Sequence, residues 1–316
     1  MQTQLNQAGT KDMKQRKRKR WGIHLFPIPA IAIYGIFIVY PLLAALTYSF
    51  YEWNGISRGA FIGLDNYKDL FTLQPFSGMF WNAFQHNILY FVVQMIVQNG
   101  IGFLLAFIIY KKIRGAGFFK FAFFLPRLLS VIVVGFLWKL ILNPNFGALN
   151  VILGKLGFES LQEAWLGNPN TALMAIILVN CWFGIGFAVL IFLAGLQSIP
   201  KELIEAATLD GALGMTMLRR IMLPLMVPSI MILTVLTFIQ SFEAFELVYA
   251  MQGSQGEPYR STDTLAVYFY RLAFGGSTGD STALGLGSAL AVVLFIFIST
   301  FTAILLKVMK KKEIEM

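Results

Sequence analysis

The chain has 316 residues, of which 57% are hydrophobic, 15% aromatic and only 13% charged, with a formal net charge of +9. Soluble domains carry about 25% charged residues, so this composition excludes an ordinary water-soluble enzyme and marks a membrane protein. The positive charge is not the footprint of a nucleic-acid partner, because the basic residues flank apolar runs in alternate loops.

A bilayer core of roughly 30 Å needs an apolar helix of about 20 residues. Six runs meet that length, at 23–50, 82–110, 119–142, 171–197, 221–251 and 283–307. Continuous runs of this kind choose helices over the alternating strands of a barrel. The predicted fold is therefore an all-α integral membrane protein with six transmembrane helices. A basic arm at 1–20 precedes one six-helix membrane domain at 21–316. The apolar run after Lys17-Arg18-Lys19-Arg20 is longer than the roughly 7–15 residues of a signal-peptide core, so it reads as a retained first span.

Lys and Arg fall one loop in two. Seven lie in the arm, and further groups lie at 111–120, 198–220 and the C-terminal tail, against five in the alternate loops. Cytoplasmic loops retain basic residues, which places both termini and the 198–222 loop in the cytoplasm.

The second span carries Gln94, Gln98 and Asn99, the third Arg127 and Lys139, and the fourth Asn180 and Trp182. The fifth carries Gln240, Glu243, Phe245, Glu246 and Tyr249. A charge at the bilayer centre costs about 2.5–3.5 kcal/mol on insertion scales, so the two acids should face a bundle interior or water. Each polar residue alone reads equally as interhelical glue. As a set, all but the third span's pair are candidates for a polar path through the bundle, since they offer hydrogen bonds and flat apolar contact to a solute.

The 198–222 loop differs from every other. Ile199, Leu203, Ile204, Ala206 and Ala207 recur at helical spacing, while Lys201, Glu202, Glu205 and Asp210 take other faces. Ser198 and Pro200 suit a helix start and Gly211 a helix end. A second helical stretch, 213–222, follows, and Pro224 and Pro228 should loosen the entry to the fifth span. The helix-turn-helix either lies on the bilayer surface or fits a groove on a cytoplasmic partner.

Nucleotide and metal chemistry find no place in this chain. The stretch GKLG at Gly154 lacks the spacing and hydroxyl of a phosphate loop, Gly285 and Gly287 lack a third glycine, and no catalytic triad stands out. Cys181 is the single cysteine, and His24 and His86 are isolated, so no metal set is expected.

The stretch LAGLQSIPKELIEAATLDGA, followed by IMLP, resembles the EAA loop of ATP-binding-cassette importer permeases of the carbohydrate-uptake group. FIGLDNYKDLF at 61–71, FFLPRLLSVIVVGFLWK at 123–139 and SFEAFELVYAM at 241–251 resemble further landmarks of that family in the same order. The chain departs from the pattern in reading MQGSQGEP after the fifth span, and its 143–170 loop is too short for the inserted domain of some maltose permease subunits.

The resemblance implies a multi-pass subunit of the bacterial inner (plasma) membrane with no cofactor of its own. ATP and Mg would be held by two cytoplasmic ATPase subunits, and a second permease and an extracytoplasmic solute-binding protein would complete the assembly, in contact with membrane lipid. The resemblance assigns ATPase coupling to Glu205, Ala206, Ala207, Asp210, Gly211, Ile221 and Pro224. It implies a carbohydrate solute and no enzyme activity in this chain. An ion-coupled secondary transporter would account for six spans and two acids but not for the amphipathic loop. A permease for a solute such as a glycerol phosphate would need a deep cation, for which Arg127 is the one candidate.

Overall fold

The computed structural model describes residues 25–55, 57–111, 113–275 and 283–314; the basic arm at 1–20 lies outside the described residues. Five described helices are long and apolar enough to cross a membrane. They are α1 (Ile28–Tyr48), α3 (Phe76–Tyr110), α7 (Pro169–Gln197), α10 (Val227–Gln252) and the first 25 residues, Leu284–Val308, of α12 (Leu284–Ile314). A bent pair, α4 (Ala116–Leu128) and α5 (Val131–Ile141), whose axes meet at 96°, makes a sixth if the two are counted as one span.

That bend corrects the continuous third span expected at 119–142. Pro126 lacks an N–H and tightens the end of α4 into a 3₁₀ turn. Leu129 and Ser130 then run extended, with ψ 151° and 137°, and redirect the chain.

Helices α4 and α7 touch backbone to backbone. A Cβ at Gly186 would collide with the carbonyl of Phe123, so the approach exists because residue 186 has no side chain.

The all-α expectation also gains a hairpin. Strands β1 (Tyr51–Asn54) and β2 (Ser57–Phe61) pair antiparallel, with Tyr51 opposite Phe61 and Trp53 opposite Arg58. The buried amide of Asn66, on α2 (Asp65–Thr72), donates to the carbonyls of Ser49 and Tyr51 and seats the hairpin on the end of α1. Two short helices, α6 (Ala148–Lys155) and α11 (Leu265–Phe274), complete that side of the molecule.

Buried apolar side chains gather in three groups. One joins α2, the start of α3, α10, α11 and α12 through Leu70, Phe80, Phe238, Phe242 and Leu290. A second lies among α3, α5, α7 and the end of α10, around Tyr90, Val134, Ile176 and Val248. The third ties the far ends of α3 and α7 to the inter-span loop, whose helices are α8 (Lys201–Leu209) and α9 (215–225).

Candidate functional site

Helix α10 is broken. Helical geometry stops at Phe242, passes through Glu243 (φ −94°, ψ 10°) and Phe245 (φ −123°, ψ −60°), and resumes at Glu246. Neither proline nor glycine lies between Ser241 and Glu246, so distant side chains must hold the break open.

Two do. The Asn87 amide on α3 donates to the Ser241 carbonyl, and its oxygen accepts from the Leu265 N–H at 2.8 Å. Thr264 donates its hydroxyl to the Ala244 carbonyl at 2.6 Å and accepts from the N–H of Val267 at the head of α11. Both side chains are fully buried, and within a bilayer the freed carbonyls have no water to turn to.

Further bonds fasten the strap 253–264 that joins α10 to α11. His86 Nδ1 carries the proton that it donates to the Asp263 carbonyl at 2.8 Å, and Asn82 donates to the Arg260 carbonyl. Asp263 and Arg271 form a two-pronged ion pair at 2.6 and 2.9 Å, both nearly or fully buried, and Arg271 also donates to the Ser254 carbonyl. Burial pushes the Asp263 carboxyl above the usual carboxylate range, and Arg271 pulls it back down by hydrogen bonding and charge.

Beside the break lies a cavity of about 360 Å³, within the range of small-molecule sites. Its walls are Tyr90, Arg127 and Val131 at the α4–α5 bend, Asn180 and Phe183 on α7, and Gln240 and 243–248 on α10. Asn180 donates to the Tyr90 hydroxyl at 2.7 Å. Arg127 places its guanidinium 4.7 Å from the centre of the Phe183 ring. Gln240, Glu243 and Glu246 are exposed at this edge of the chain.

The polar residues singled out in the sequence divide between this cavity and other places. Asn180, Gln240, Glu243, Phe245 and Glu246 line it. Gln94, Gln98 and Asn99 do not: they form a buried π-helical turn of α3, where Gln94 donates to Gln98 and Asn99 donates to Thr237 on α10 at 3.0 Å. Trp182 is not part of the cavity wall and packs its ring 5.5 Å from that of Trp138. Tyr249 joins an aromatic group with Phe245 and Tyr270. Sequence reasoning missed Tyr90 and Phe183, aromatics inside apolar runs that look like any packing residue. It also missed Asn87 and Thr264, which act through backbone partners that no local pattern reveals.

On the opposite side, α8 ends at Leu209 and the chain turns through Gly211 at φ +80°, a conformation that side chains strain to adopt. Ala207 is buried against the ends of α3 and α7, and Ile204 and Ile221 are half-buried there. Leu203 and Ala206, expected on the apolar face, are exposed. So are Glu205, Asp210, Gly211 and Pro224. Leu209 is 90% exposed and Leu213 66%, so apolar and acidic side chains share one uncovered surface. Ser198 turns its hydroxyl back to the Gly195 carbonyl instead of capping α8.

Apolar spans, one of them interrupted beside a polar cavity, together with an amphipathic helix between spans, define a membrane permease subunit. Residues 98–313 match the family described as the binding-protein-dependent transport system inner membrane component, and the chain belongs to that family. It is 32% identical over 297 residues to the multiple sugar-binding transport system permease protein MsmF of Streptococcus mutans, covering 94% of this chain and 97% of that one. It is 29% identical over 301 residues to the trehalose/maltose transport system permease protein MalF of Thermococcus litoralis, covering 95% and 96%. Its fold is similar to that of a chain in a bacterial transporter that imports the acidic polysaccharide alginate, with a TM-score of 0.78, 22% identity and coverage of 95% and 98%.

Proposed function

We propose that this chain is one membrane half of an ATP-driven importer in a bacterial inner membrane, and that it passes a saccharide received from an outer solute-binding protein. The observation that carries the reading is the edge bearing Gln240, Glu243 and Glu246. These groups are exposed on the isolated chain beside a cavity at mid-span. Two carboxylates facing lipid at that depth would cost about 2.5–3.5 kcal/mol each, so a second permease must cover the edge and leave a wet path between the two chains.

The inter-span loop supplies the other contact. Its uncovered leucines and acids fit a groove on a cytoplasmic ATPase, and Glu205, Ala206, Asp210 and Gly211 form the side offered to it. ATP and Mg act in that subunit. Closure of the ATPase pair then moves α8, and because α8 shares a core with α3 and α7, the spans tilt with it.

The test is uptake of labelled saccharides into proteoliposomes that hold this permease, its partner permease and the ATPases. Uptake that needs internal-facing ATP and an added binding protein supports the reading. Uptake driven by a proton or sodium gradient without ATP would replace it with a secondary transporter.

A further inference from the structure

The cavity beside the α10 break holds one cation whose charge is unspent. Arg127 is the twelfth residue of α4, in the 3₁₀ turn at the bend that divides α4 from α5, and so lies near the middle of the apolar pair 116–141. Among the described residues it makes no ion pair and no hydrogen bond, although Glu243 and Glu246 line the same cavity. Its guanidinium lies against the face of Phe183, a contact that leaves the N–H groups available.

An arginine kept for structure alone would take a carboxylate at hand, because an unpaired charge inside a span is expensive. We propose that the cavity selects an acidic saccharide and that Arg127 receives its carboxylate, sulfonate or phosphate in a two-pronged contact. This rests on the saccharide-importer reading above. The rest of the wall suits the neutral part of such a solute. Gln240 accepts ring hydroxyls, and the Asn180–Tyr90 pair adds a polar floor. The two glutamates stay at the exposed edge, where water on the path screens them from the solute's charge.

The experiment uses the assembled transporter in nanodiscs without its binding protein, titrated calorimetrically with trigalacturonate and with maltotriose. Trigalacturonate should bind the wild type more tightly than maltotriose does. Arg127→Gln should weaken trigalacturonate by about tenfold or more, the size of one lost charged hydrogen-bond set, and leave maltotriose unchanged. Arg127→Lys should recover part of the loss. Equal weakening of both sugars by Arg127→Gln, tighter binding of maltotriose, or no binding of trigalacturonate would each overturn the proposal. So would a Glu243→Gln variant that reproduces the Arg127→Gln profile, because the arginine would then serve the glutamate. Stimulation of ATP hydrolysis by a loaded binding protein, measured on the same nanodiscs, tests the importer reading separately.

Discussion

The side-chain amide of Asn87 on α3 donates to the backbone carbonyl of Ser241 on α10, and its oxygen accepts the Leu265 N–H. One buried side chain therefore joins three segments far apart in sequence at the place where α10 breaks. Asn87→Leu keeps the branched outline of the side chain and removes both bonds, leaving two buried backbone groups unmatched at about 1–3 kcal/mol each. The melting temperature of the purified complex should fall. An unchanged melt would show that the break holds without Asn87.

The ion pair of Arg271 and Asp263 fixes the strap that follows. Arg271→Met leaves a carboxylate buried without its partner and should destabilise the outer segment by about 3–5 kcal/mol. With the arginine gone, burial is opposed only by the weaker influence of Arg260 and His86 and drives Asp263 toward the neutral acid. Asp263→Asn added to Arg271→Met should therefore restore part of the stability. Limited proteolysis of the strap reads both steps, and a double variant cut as fast as the single one would contradict the pairing argument.

Gly211 turns the inter-span loop at φ +80°. Valine there meets a left-handed penalty of about 1–2 kcal/mol and an added β-branch. Gly211→Val should abolish uptake while membrane insertion, read by surface labelling, stays normal. Full uptake by this variant would remove the turn from the mechanism.

Glu205 is exposed beside Ala206 on α8. Glu205→Arg reverses the charge of the surface offered to the ATPase without touching the core under Ala207. The ATPase subunits should no longer copurify with the permease pair, and their retention would place the contact elsewhere.

The spans could be read from sequence because a 20-residue apolar run has few other fates, and the end of α8 because Gly211 sits where the amphipathic pattern stops. The break in α10 could not. Ser241 to Glu246 contains no helix-breaking residue, and the groups that hold it open, Asn87 and Thr264, lie far away in the chain. Pro126 was visible in the third span, yet a proline alone does not set a 96° bend; the two extended residues after it do. Arg127 drew notice as a charge in an apolar run, while Phe183, which holds its guanidinium, looked like filler. Gln94 and Asn99 could have served a path or a helix contact, and only their partners distinguish the two.

Helix α3 has 35 residues, about 52 Å at 1.5 Å per residue, so it extends past both faces of a 30 Å core. At one end Asn82 and His86 grip the strap and Asn87 holds the break in α10, and at the other Ala106, Ile109 and Tyr110 pack with α8 and α9. It therefore acts as a through-bolt. A shift at the loop end of α3 would be carried along the same helix, through the π-helical turn at Gln94–Asn99 and past Tyr90 in the cavity wall, to the residues that hold the strap.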